Sequence, residues 1–134
     1  MTSVLLRHAS AGHRRDFDGD DDRLRPLDDR GRRQAAALVE QFAALGVRRV
    51  LSSPYVRCVE TVEPLAAALG LTVEIDDRLA EGAGRAAHDL LRQDGAVCCT
   101  HGDICEALLG RGLKKGAAVV FDDDDAVREI APPA

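Results

Sequence analysis

Three short runs in this chain are apolar without alternation: Val4-Leu5-Leu6, Val50-Leu51 and Ala96-Val97-Cys98-Cys99. Successive side chains on a strand point to opposite faces, so an unbroken apolar run needs cover on both sides. Such strands belong to a parallel sheet between layers of helix. The segments between them fit. Asp28 or Asp29 can cap a helix over 30–46, with Leu38, Phe42 and Leu45 on one face and Gly46 as its stop. Ser53-Pro54 reads as the start of a second helix, running through 55–70, kinked near Pro64 and ending at Gly70. "LTVEI" at 71–75 is a further strand, "AAHDLLRQ" at 86–93 and "DICEALLG" at 103–110 are helices, and "AAVVF" and "AVREI" flank a turn at "DDDD" as a closing hairpin. Strands alternating with helices predict an α/β fold, three layers α/β/α around a mostly parallel central sheet. Pro132-Pro133 reads as a plain chain end.

At 134 residues the chain is expected to be one domain over 1–134. Hydrophobic residues at 46% and charged residues at 31% describe a globular protein, and aromatics at 3% leave Ala, Leu and Val to build the core. The net charge of −5 argues against a nucleic-acid partner. No apolar stretch approaches the roughly 18 residues of a membrane span. The segment before the first strand lacks the charged-then-apolar order of a secretion signal, so a cytoplasmic location is expected. The sequence sets no oligomeric state, and a monomer is compatible with it. Cys58, Cys98, Cys99 and Cys105 show no disulfide-scaffold spacing. Cys98 and Cys99 are adjacent on a strand and face opposite ways, which favours small buried thiols over a zinc site.

In open α/β sheets, ligands sit outside the carboxyl ends of the strands. His8 falls at the end of the first strand, Arg57 in the first helical turn after the second, Glu81 in the loop after the third, and His101 at the end of the fourth. Arg7 precedes His8. Two histidines and two arginines at one edge suit a dianionic phosphoryl group, because the guanidinium fork matches phosphate oxygens and keeps its charge. A neutral imidazole can attack phosphorus and form a covalent phosphoenzyme. A second, charged histidine would steady the equatorial oxygens, and Glu81 could protonate the leaving group.

These residues carry a resemblance. "LLRHASAG", "RPLDDRGRRQA", "LSSPYVRCVETVEPLAAALG" and "CCTHGD", in that order over roughly residues 3–110, resemble the motifs of the histidine phosphatase superfamily, whose fold is phosphoglycerate mutase-like. The resemblance implies that His8 is the phosphorylated nucleophile, that Arg7, Arg57 and His101 form the phosphate pocket, and that Glu81 in "RLAEG" is the proton donor. It implies no cofactor and no metal. Arg7-His8-Ala9 stands where the family's usual motif is Arg-His-Gly, a variant found in the small SixA-like phosphohistidine phosphatases. Only "GAGRAAHDLLRQDG" lies where larger members insert a cap, so the cap is minimal and the pocket is expected to be open and shallow.

The leading expectation is a metal-independent phosphatase acting on phosphohistidine in a protein or on a small phosphoester. The phosphatase half of certain two-domain Nudix hydrolases is a second likeness and brings in nucleotide-derived substrates. A phosphate-binding module without turnover is the rival class, disfavoured because nucleophile, arginines, second histidine and acid are all present. A mutase would need a closed pocket. His13 and His88 lack such company and are read as surface residues. Asp16, Asp18, Asp20, Asp21 and Asp22 fail the calcium-loop pattern and read as a solvated loop whose Arg14, Arg15, Arg23 and Arg25 could face substrate.

Overall fold

The structure is a computed structural model and describes residues 2–134. Six strands, β1 (Thr2–Arg7), β2 (Arg49–Ser52), β3 (Val73–Ile75), β4 (Ala96–Thr100), β5 (Ala118–Asp122) and β6 (Asp125–Ile130), form one sheet in the order β3-β2-β4-β1-β5-β6. The first four are parallel, and β5 and β6 run antiparallel as the expected hairpin. Helices α1 (Asp29–Phe42) and α2 (Val56–Leu69) cover one face, and α3 (Gly102–Leu109) with short 3-10 turns covers the other.

The unbroken apolar runs are explained by these two covers. Val4, Leu6, Val50, Val97 and Cys99 pack with Leu38 and Phe42 of α1 and Val62 and Leu65 of α2. Leu5, Leu51 and Cys98 face the opposite way, toward Leu79, Leu90, Leu91 and Cys105. All four cysteines are free and buried, and burial pushes the Cys98 and Cys105 thiols up to about 12.

Three expectations are corrected locally. Residues 86–92 form 3-10 turns and not an α-helix. So short a segment, entered from the left-handed Gly82 and Gly84, offers few hydrogen bonds against the cost of nucleating an α-helix. Ser53-Pro54 is a turn ahead of α2, whose N-cap position is Tyr55, and the Ser53 hydroxyl accepts from Tyr55 N at 3.2 Å. Pro132-Pro133 does more than end the chain, since Gln34 Nε2 of α1 donates to the Pro133 carbonyl at 3.2 Å. The second helix runs through Pro64 without interruption.

Register sets the site. Arg7 pairs with Thr100 and Ser52 with Cys99, so β1, β4 and β2 all finish at one edge. The chain leaves β1 toward α1 on one face and leaves β4 toward α3 on the other. Between those two diverging exits lies the crevice that doubly wound sheets offer to ligands.

Candidate active site

His8 and His101 stand at the two lips of that crevice, their rings 5.5 Å apart between centroids. The His8 amide donates to the Thr100 carbonyl at 3.0 Å, and Gly116 N donates to the carbonyls of Arg7 and His8, so the backbone here is fixed from both sides. The next amide, Ala9 N, donates to Thr61 Oγ1 of α2 at 3.0 Å. The loop continues against α1, where Asp28 accepts from Gly31 N, Ser10 Oγ and Gly12 N, and Gln34 Oε1 accepts from Ser10 N. Gly31 is required by that approach, because a Cβ there would lie 1.9 Å from the Ser10 carbonyl oxygen. The "RPLDDRGRRQA" segment therefore serves to hold the loop that carries His8.

His8 Nδ1 lies 2.8 Å from the Ala9 carbonyl, which can only accept, so Nδ1 carries the proton and Nε2 keeps a free lone pair. His8 is 4% exposed. Burial pushes its imidazole down to about 3, opposed by the hydrogen bond to Ala9 and aided by the charges of His101, Arg57 and Arg7. The ring is neutral at ordinary pH, the state in which it is nucleophilic.

Arg7, Arg57 and His101 surround it. Arg7 Nη1 donates to the Leu113 carbonyl at 2.7 Å, and its guanidinium lies flat over the start of α3, where a Cβ on Gly102 would fall 2.9 Å from Arg7 Cζ. Arg57, 1% exposed, stacks 4.9 Å above the Tyr55 ring. His101 is 2% exposed, with Nε2 placed 2.9 Å from Ser53 Oγ and 3.5 Å from Cys58 Sγ. Among the described residues, three buried side-chain nitrogens have no hydrogen-bond partner: Arg7 Nε, Arg57 Nε and His101 Nδ1. Buried donors are normally satisfied. All three belong to residues around His8.

Glu81 reaches the same place from the β3–β4 connection, with Oε1 3.4 Å from Arg57 Nη2 and Oε2 3.5 Å from Arg14 Nη2. All five residues singled out in the sequence thus converge. The segment between β1 and α1 reaches the site at its rim, where Asp22 meets Arg57 and Arg14 meets Glu81, and it borders a pocket of about 400 Å³ lined by Arg14, Phe17, Asp22, Arg23, Tyr55 and Glu81. Two of its aspartates are held by arginines. Asp21 pairs with Arg23, and Asp22 pairs with Arg14, Arg25 and Arg57. Burial works against the Asp22 charge, but the hydrogen bonds from Arg25 and Arg14 and the charge of Arg57 outweigh it and hold the carboxyl down to about 2. Arg14 and Arg23 line the cavity, while Arg25 turns inward onto the Ala11 and Gly12 carbonyls.

Sequence reasoning gave no role to Ser53, Thr61, Tyr55 or Asp22. Ser53 and Thr61 lie inside the "SSPYVRCVET" block, and that was their signal. Asp22 had only its spacing, three residues before Arg25.

A mostly parallel sheet in this strand order, with helices on both faces, is the phosphoglycerate mutase-like fold. The chain belongs to the histidine phosphatase superfamily (branch 1), whose model matches residues 3–90. It is similar to the 8-oxo-(d)GTP phosphatase of Mycolicibacterium smegmatis, 38% identical over 117 residues, which is 81% of this chain and 36% of that protein. The chain therefore spans little more than a third of that relative's length. Among solved structures, the putative phosphohistidine phosphatase SixA from Agrobacterium tumefaciens matches with a TM-score of 0.79 at 22% identity, covering 98% of this chain and 97% of that one. The protein histidine phosphatase SixA complexed with tungstate matches at 0.74 and 21%, with the same coverage. At such identities the structural matches speak for the fold. No helix among the described residues is long and apolar enough to cross a membrane.

Proposed function

We propose that the protein is a metal-independent phosphatase that passes the phosphoryl group through His8. The observation that carries this reading is the set of three unpartnered buried donors, Arg7 Nε, Arg57 Nε and His101 Nδ1, around an imidazole held neutral with Nε2 free. A phosphoryl group satisfies all three donors and meets the nucleophile. Nε2 attacks phosphorus and forms the N–P bond as the P–O bond to the leaving group breaks, and Glu81 gives that oxygen its proton. Water then attacks phosphorus and gives a proton to the Glu81 carboxylate, the N–P bond breaks, and the released phosphate leaves His8 neutral and Glu81 protonated again. The two guanidinium groups and the His101 N–H hold the oxygens on which charge collects in the transition state. In the tautomer that donates from Nδ1, His101 Nε2 accepts the Ser53 hydroxyl, so Ser53 sets which nitrogen faces the substrate.

Phosphohistidine on a protein is the substrate suggested by the resemblance to the small SixA-like members. A nucleotide-derived phosphate is the second reading. Two observations favour it: the relative named for 8-oxo-(d)GTP, and the pocket of about 400 Å³ beside Arg57 with Phe17 and Tyr55 in its wall, which has room for a small molecule.

Rapid acid-free quenching of a reaction with a labelled aryl phosphate, run in excess EDTA, tests the mechanism. The expected product is a phosphoprotein stable in alkali and labile in acid, absent from His8→Ala. Equal label in His8→Ala, or turnover that EDTA abolishes and magnesium restores, would overturn it.

A further inference from the structure

Asp22 has no part in the reaction scheme above, yet its contacts tie the two halves of the site together. We propose that Asp22 is a positioning residue that turns Arg57 so that its side-on fork, Nε with Nη2, meets the phosphoryl group. The inference rests on the phosphatase reading and adds to it a residue that neither the motifs nor the relatives assign.

A guanidinium offers two forks, end-on through Nη1 and Nη2 and side-on through Nε and Nη2. On Arg57 the end-on fork is taken. Nη1 donates to the Asp22 backbone carbonyl at 2.9 Å, and Nη2 lies 3.1 Å from Asp22 Oδ2. Nε–H, the other half of the side-on fork, is buried and unpartnered, and on that side Nη2 meets only Glu81 Oε1 at a long 3.4 Å, a contact that a phosphoryl oxygen would displace. Asp22 is itself anchored, because Oδ1 accepts from Arg25 Nε at 2.9 Å while Arg25 Nη1 donates to the Ala11 and Gly12 carbonyls at 2.6 and 3.2 Å. Those carbonyls belong to the same loop that carries His8. A continuous path of hydrogen bonds therefore runs from the nucleophile's loop through Arg25 and Asp22 to Arg57, and it sets the phosphate-binding fork in register with His8.

The charge of Asp22 argues in the opposite direction, and that makes the proposal testable by sign. A carboxylate beside an anion site repels the anion, so if charge dominated, removing it would tighten phosphate binding and speed the enzyme. Arg14, at 3.1 Å from Oδ2, together with Arg25 and Arg57 surrounds this one carboxylate with three cations and offsets the repulsion.

The experiment compares wild type, Asp22→Ala and Asp22→Asn in kcat and KM with p-nitrophenyl phosphate and in the Kd of inorganic phosphate, with thermal melts as the check on folding. The expected result for Asp22→Ala is a kcat lower by roughly 10- to 100-fold, the scale of a misplaced contact, with a weaker Kd for inorganic phosphate. Asp22→Asn keeps the backbone carbonyl and one acceptor oxygen and should regain part of kcat; it carries the test if the alanine variant does not fold. Unchanged or faster turnover in the variants, with tighter phosphate binding, would overturn the proposal and make Asp22 a competitor of the substrate. The phosphatase reading fails separately, through absence of His8 phosphoprotein in wild type. In that case a weaker phosphate Kd in Asp22→Ala would still support the orientation of Arg57.

Discussion

Thr61→Val isolates the anchor of the nucleophile's loop while leaving every chemically reacting group in place. The Thr61 hydroxyl is fully buried, accepts from Ala9 N at 3.0 Å and donates to the Arg57 carbonyl at 2.7 Å. Valine has nearly the same shape, so packing is kept and the hydrogen bonds are lost. The Arg57 carbonyl keeps its helical partner, but the Ala9 amide becomes a buried donor without an acceptor, at a cost of about 1–3 kcal/mol. For a chain of this size each kcal/mol is worth roughly 3–5 °C, so the melting temperature should fall by about 3–15 °C. Catalysis should suffer beyond stability. Ala9 supplies the carbonyl that fixes the His8 tautomer, and its amide is the tether just beyond His8, so a shifted peptide misplaces Nε2 and relaxes its protonation state together. A loss of roughly tenfold to 100-fold in kcat is expected at temperatures where the variant is fully folded. The assay pairs a thermal melt with kcat on p-nitrophenyl phosphate for wild type, Thr61→Val and Thr61→Ser. Serine keeps the hydroxyl and should stay close to wild type in kcat. If Thr61→Val melts and turns over like wild type, or if Thr61→Ser fails as badly, the hydrogen-bond argument is wrong and the methyl group carries the effect.

His8 binds its proton far more weakly in the fold, at about 3, than the ordinary histidine value of 6.5, so the unfolded chain takes up a proton between those values that the native chain does not. Its contribution to stability is complete above about pH 6.5 and is lost as pH falls toward 3; by pH 5 the loss is about 2 kcal/mol. Urea melts from pH 7 to 5 should show wild type losing more stability than His8→Asn, and parallel curves would contradict the buried neutral imidazole. Glu81→Gln should lower kcat/KM on an alkyl phosphomonoester by on the order of 10²–10⁴, and far less on a phosphohistidine peptide, whose imidazole leaves without needing that acid. An equal loss on both would make Glu81 a partner that orients Arg57 and Arg14, which it touches in the structure, and not a proton donor.

The parallel core of the fold was legible because both faces of β1, β2 and β4 are covered, which writes an unbroken apolar run into the sequence. The same register makes Arg7-His8 and His101 readable as a site, since side chains at the ends of adjacent parallel strands must share an edge. What stayed hidden depends on contacts with no periodic trace. The 86–92 segment has helical spacing at Ala87, Leu90 and Leu91, and that spacing serves a 3-10 turn equally well when the segment is this short. Ser53 looked like a helix cap, and its hydroxyl does accept from Tyr55 N, but nothing in a Ser-Pro pair shows that the same hydroxyl also meets a histidine 48 residues further on. The loop of residues 13–27 read as solvated because its charges are dense. Most of it is exposed in the fold; what its composition did not reveal is that Asp22 pairs with Arg57 and Arg14 with Glu81 at the rim of the site.

Burial connects the two unusual features of the site. It removes water from the His8 ring, which keeps the imidazole neutral and able to attack on the proposed reading. The same burial leaves Arg7 Nε, Arg57 Nε and His101 Nδ1 unpaired, at about 1–3 kcal/mol apiece. Fold stability alone does not account for three such penalties at one place. On the proposed reading an anion with charge spread over several oxygens satisfies all three together. Donors already buried and aimed need no rearrangement as charge develops on those oxygens, which is the condition under which electrostatic stabilisation lowers a barrier most.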